Sequence, residues 1–107
     1  MKENFQPIDD VNILNKIAEI PIQYWNYSDD RQNMSRHIGP TAQDFYAAFE
    51  LGDNQRRINT VDANGINMAS IQALYRLLQD RDRKIDTLEK ELQRVSSKLE
   101  SVFKQNQ

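Results

Sequence analysis

From about Met68 onward the chain carries neither glycine nor proline, and its apolar residues fall into a seven-residue rhythm. Ile71, Leu78, Ile85, Leu92 and Leu99 occupy the a positions of successive heptads, and Leu74, Arg81, Leu88, Val95 and Val102 the d positions, so nine of ten seam positions are apolar. That periodicity predicts a coiled-coil helix over Ala69–Phe103. At 1.5 Å per residue it would run roughly 50 Å, too long for the small core upstream to cover. Partner helices must bury the seam. Leu at a with Val at d, as in Leu92 with Val95 and Leu99 with Val102, leans toward three or four strands, whereas Ile at a with Leu at d in the upper heptads leans toward two. Lys84 at g faces Glu89 at the following e of a neighbour, a pairing that suits parallel strands. Arg81 is the one polar intrusion. Inside a closed seam it must reach Asp80, Asp82 or a bound anion, or snorkel to water and fix the register.

Upstream the rhythm is shorter and changes character. Asp9 and Asp10 can cap a helix whose Val11, Leu14, Ile17 and Ala18 recur at three- and four-residue spacing, with Pro21 as its stop. The aromatic run Ile22–Tyr27 reads as a strand ending in a polar loop, and His37, Ile38 and Gly39 as a second short strand. After Pro40, Thr41 can cap a helix that buries Ala42, Phe45 and Phe49, places Asp44 at its third position and ends near Gly52. Arg57–Val61 reads as a further short strand, and Asp62–Gly65, DANG, as a turn. The expected fold class is therefore α+β: a small globular part, residues 1–67, followed by a long C-terminal helix, residues 68–107, forming a parallel and, on balance, trimeric coiled coil.

Composition narrows the function classes. The chain has 107 residues, 38% of them hydrophobic, and a net charge of −2. No basic stripe interleaves with aromatics, so the electrostatic footprint of a nucleic-acid binder is missing. There is no cysteine, hence neither a disulfide framework nor a thiolate metal site. No apolar run approaches the ~18 residues of a membrane span, and no signal peptide precedes the first charges. A soluble chain with neither membrane nor nucleic-acid partner is expected. No glycine-rich phosphate loop is present, and no cofactor or metal is expected.

Few residues stand out as chemistry. His37 is the single histidine. With no cysteine or second ligand nearby in sequence, and with Ser35 carrying no nucleophile signature, it reads first as a structural residue. Tyr24, Trp25, Phe45 and Phe49 have strand and helix spacing and read as core. Asp29, Asp30, Ser28 and Ser35 read as solvated loop residues. A hydrolase built on His37 and Asp44 is the weakest of the function classes, and a plain coiled-coil oligomerisation module is supported by the heptads alone.

Three blocks change the picture: KENFQPID at Lys2–Asp9, RHIGPTAQDF at Arg36–Phe45 and VDANGINMASIQAL at Val61–Leu74, followed by the heptads. In that order they resemble the self-cleaving C-terminal chaperone domain of endosialidase tailspikes, whose relatives end many phage tail fibres and bacterial fibre-like proteins. The resemblance implies a homotrimer that brings three chains into register, helps the upstream shaft of the same chain to fold, and is then released by autoproteolysis. It places the parent in a phage virion or on a bacterial fibre-like protein, without identifying its receptor. Interwound β structure has high contact order, so a fast local trimer that raises effective concentration removes its slow step.

The family's cleavage uses a serine and a lysine: Ser-Asp, a few residues, then Lys-Glu-Asn. Lys2, Glu3 and Asn4 match the second half, and Lys2 is thereby implied as general base. The serine, about five places earlier, would fall ahead of Met1, so the chain as it stands is expected to be catalytically silent. A serine hydroxyl is a poor nucleophile until a base takes its proton, and a lysine does so only when desolvated. Trimer formation could supply that desolvation. His37 is implied only as a supporting residue, brought toward Lys2 by the fold to orient the pair or help the oxyanion.

Overall fold

The computed structural model describes residues 1–29, 32 and 34–106; Asp30, one of the two loop aspartates singled out in the sequence, lies outside them. The elements run α1 (Asp10–Glu19), β1 (Gln23–Trp25), β2 (His37–Gly39), α2 (Ala42–Phe49) and α3 (Thr60–Gln105). Short helices, one two-stranded sheet and a long C-terminal helix make up the α+β chain expected from the sequence. Contacts divide it into two units, Met1–Ala73 and Leu74–Gln107.

In the first unit, α1 begins where an aspartate can cap it. The Asp9 carboxylate accepts from the backbone N–H of Asn12 at 3.1 Å, and Asp10 adds negative charge to the first turn, where the helix dipole favours it. Its end is set by Ile20, which is extended, precedes Pro21 and still donates its own N–H to the Lys16 carbonyl. The inward side of α1 is Ile13, Ile17 and Ile20, with Val11 and Leu14 half-buried; Ala18, assigned inward from its spacing, faces solvent. Ile13 sits four residues before Ile17, and the longer side chains take the covered stripe.

The hairpin is shorter than its aromatic run. Only Gln23–Trp25 pairs with His37–Gly39, antiparallel, with Tyr24 opposite Ile38 and Trp25 opposite His37. Successive side chains alternate faces. Trp25 is half-buried, while Tyr24 is exposed, contrary to its expected place in the core. A two-stranded sheet has one face to bury, and Tyr24 lies on the other, with the Arg36 guanidinium 4.5 Å from its ring centroid.

Helix α2 follows its expected cap: Thr41 Oγ1 accepts from the Asp44 N–H at 3.1 Å. It ends at Phe49, earlier than Gly52, because Glu50 takes the left-handed conformation at φ 52° and donates its N–H to the Tyr46 carbonyl.

The largest departure is at the start of α3. Arg57–Val61 is not a strand and Asp62–Gly65 is not a turn. Asn59 caps a helix instead: its side-chain oxygen accepts from Val61 N–H and its carbonyl from Ala63 N–H. Helical continuity through Gly65 is what lets Ile66, Ala69 and Ala73 fall on one buried face. Ile20, Phe45 and Ile66 form the core, with Ile13, Ile17, Ala48, Phe49 and Ile58 packed around them. Phe45 retains only 4% of its surface. Ser70, also buried, bonds back to the Ile66 carbonyl at 2.8 Å and so leaves no orphan hydroxyl there.

The second unit is the rest of α3. Intrahelical pairs Arg83 to Asp80 at 3.2 Å and Lys90 to Asp86 at 3.1 Å decorate its surface. No helix among the described residues is long and apolar enough to cross a membrane.

Candidate functional site

Three features carry the chemistry that the sequence singled out. The first is the N-terminal segment. Lys2 precedes α1 in irregular, exposed chain and makes no hydrogen bond or ion pair among the described residues. Two residues on, Asn4 adopts φ 59°, a left-handed conformation that asparagine tolerates better than most side chains. The Lys-Glu-Asn segment therefore bends just ahead of the helix instead of running into it as an extended tail.

The second feature is the hairpin. His37 stacks on Trp25 with ring centroids 5.0 Å apart and planes at 33°, and meets Tyr27 edgewise at 5.3 Å. Trp25 and Tyr27 themselves make a T-shaped contact at 5.0 Å. Each of the three rings touches the other two, a geometry that aromatic quadrupoles favour. Its imidazole is held by stacking, and among the described residues it forms no hydrogen bond with Lys2 or Asp44. The register sets His37 opposite Trp25, and Tyr27, two residues beyond the end of β1, closes the cluster.

Beneath this cluster the indole N–H of Trp25 is buried without a hydrogen-bond partner. A Cβ built on Gly39, whose φ is +152°, would sit 4.0 Å from that nitrogen. Gly39 thus serves its backbone conformation, while a Cβ there would make only an ordinary contact with the indole.

The third feature is the seam of α3. Ile71, Leu74, Leu78, Ile85, Leu88, Leu92, Val95, Leu99 and Val102 each keep 48–67% of their surface. Arg81 shares this face and is exposed. Asp80, one of its candidate partners, is engaged by Arg83. Lys84 and Glu89 form no ion pair within the chain among the described residues. Along the upper helix a further stripe, Val61, Met68 and Tyr75, repeats at seven-residue spacing beside the seam and is exposed as well. It occupies e positions, outside the a and d pattern.

Ser28 lies in a turn and Ser35 in exposed chain. Among the described residues no group of three or more His, Asp or Glu side chains is placed to hold a metal ion.

No curated protein and no solved structure matches the chain. A family model described as chaperone of endosialidase matches residues 1–51. The match takes in two of the three blocks quoted above, Lys2–Asp9 and Arg36–Phe45, and with them α1, the hairpin and α2; the third block, Val61–Leu74, lies beyond it. Over these first 51 residues, the chain is similar to the chaperone of endosialidase family.

Proposed function

We propose that the chain is an intramolecular chaperone that trimerises through α3, aligns three copies of an upstream fibre or spike shaft, and is released by a serine–lysine self-cleavage in which Lys2 is the base. The observation that carries the assembly half is the exposed seam. Nine aliphatic side chains in heptad register, each about half exposed or more, leave an apolar stripe that water penalises and parallel partner helices would cover.

The cleavage half rests on the Lys2-Glu3-Asn4 match within the family segment. The upstream serine oxygen attacks the carbonyl carbon of the residue before it, Lys2 accepts the hydroxyl proton, and the amide nitrogen departs as the serine's own amine. Water then hydrolyses the ester and restores the hydroxyl. Lys2 is exposed in the single chain, so the desolvation that a basic lysine requires belongs to the assembled state. That ordering makes cleavage a consequence of assembly.

The test uses a chain extended upstream through the Ser-Asp pair. It is expected to cut just before the serine, at a rate independent of concentration once assembled, because the fold holds nucleophile and base together. Lys2→Ala should yield an intact, uncleaved trimer, as should Lys2→Arg, whose guanidinium does not deprotonate near neutral pH. Undiminished cleavage in Lys2→Ala would remove the dyad and leave the assembly role alone. A stable, uncleaved wild-type oligomer would favour the simpler oligomerisation module.

A further inference from the structure

Arg81 is the one charged residue of the seam, and everything near it along the helix lies within the second unit, Leu74–Gln107. The seam positions on either side are apolar: Leu74 and Leu78 before it, Ile85 and Leu88 after it. On its own helix a side chain meets those three and four positions away. For Arg81 these are Leu77, Leu78, Lys84 and Ile85, none of them acidic. No carboxylate of its own helix is placed to receive it, and among the described residues it makes no hydrogen bond or ion pair.

The surrounding acids divide by face. Asp80 and Asp86, at c and b, lie away from the seam and are engaged by Arg83 and Lys90 of the same chain. Glu89, at e, is eight residues on, about 12 Å further along the axis, and is the residue that a neighbour's Lys84 would face. That leaves Asp82, at the e position directly after Arg81, exposed and with no hydrogen bond or ion pair among the described residues. Residues adjacent in sequence do not face each other on a helix, so Asp82 cannot serve the arginine of its own chain. In a parallel coiled coil a d side chain enters a hole formed by four residues of the facing helix, and the e residue of the same heptad is one of them. For Arg81 that residue is Asp82 of the next copy.

We propose that the Arg81 guanidinium of each chain pairs with the Asp82 carboxylate of the next, so that three copies close a ring of three such pairs around the seam. The inference rests on the parallel trimer reading above and adds the contact that lets a charge occupy an otherwise apolar stripe. Charge complementarity selects a second copy as the partner: each chain carries one unmatched cation in the seam and one unmatched anion on its rim, and neither can satisfy the other within the chain. The arginine stem lies along the apolar layers while its head reaches the rim, where the carboxylate remains partly hydrated.

A double-mutant cycle on the full chain, read by sedimentation equilibrium, tests the pair. Asp82→Ala should raise the concentration at half-assembly about tenfold, although alanine is the better helix former, because it leaves the arginine unmatched in the seam. Arg81→Leu should assemble at least as tightly as the wild type, and in that background Asp82→Ala should cost nothing. An equal effect of Asp82→Ala in both backgrounds overturns the pair and leaves the assembly standing. So does no effect in either, the result that an anion bound by the arginines in place of Asp82 would give. A wild-type chain that is monomeric overturns both. Exchanging the charges gives a second measurement that does not depend on how many strands Arg81→Leu recruits. Arg81→Glu should lose assembly across the micromolar range, and Arg81→Glu combined with Asp82→Arg should recover it to within about tenfold of the wild type. A combined variant as weak as Arg81→Glu alone also overturns the pair.

Discussion

Replacing Leu88 by aspartate tests the seam at a d position well inside the second unit. Leu88 keeps 63% of its surface in the single chain. Burying a whole leucine stabilises by about 2 kcal/mol, so covering the remaining fraction is worth about 1.3 kcal/mol per chain and about 4 kcal/mol per trimer. That alone lowers the association constant by about 10³. Because three chains combine, the concentration at half-assembly moves as the square root, upward by about 30-fold, before any charge is counted. Three carboxylates brought together in one apolar layer add desolvation and mutual repulsion on top. Sedimentation equilibrium over a micromolar dilution series reads the shift directly, with helicity followed by circular dichroism. Ser97, at an outward f position, supplies the control, and Ser97→Asp should assemble as the wild type does. Leu88→Asp that sediments as an unchanged oligomer would refute the seam, as would a wild-type chain that is monomeric throughout the range.

Gly65→Ala should stabilise the first unit by about 0.5–1 kcal/mol, seen as a raised urea midpoint, because the glycine sits within α3 and a Cβ there meets nothing within 4 Å. A loss of stability would mean that a neighbour approaches Gly65 in the assembled protein. His37→Ala should cost about 1 kcal/mol through its two ring contacts and should alter the emission of Trp25, the only tryptophan. In the upstream-extended chain the same change should slow cleavage or impair assembly without moving the cut site; wild-type stability, cleavage and assembly would take His37 out of both roles.

What could be read from the sequence divides along physical lines. Caps were legible because they are local: Asp9 and Thr41 each bond a backbone N–H three residues on. The heptads were legible because nothing interrupts their period over 35 residues of the expected helix. The segment around Asn59 was misread for a tertiary reason. Arg57–Val61 has the composition of a strand and Asp62–Gly65 that of a turn, yet burying Ile66, Ala69 and Ala73 together requires helix, and Asn59 is positioned to start it. Tyr24 was misplaced because its composition says half-buried, and the face it occupies depends on strand register. The candidate site was legible at Lys2 only through resemblance, since a lone lysine near a terminus has no signature of its own. The clustering of Trp25, Tyr27 and His37 needed the pairing of two strands separated by a loop.

The unbroken run of α3 ties distant heptads together by phase. Each residue advances the helix by about 100°, so a single residue inserted between Leu78 and Ile85 would turn Ile85–Val102 through that angle relative to Ile71–Leu78. The two halves of the stripe would then point along different directions, and no straight bundle could cover both. Seven inserted residues would nearly restore the alignment, and three or four would leave it partly strained, to be relieved by a local change in supercoil. The helix behaves in this sense as a keyed shaft: its length can change in whole heptads, while any other increment is felt from one end of the stripe to the other.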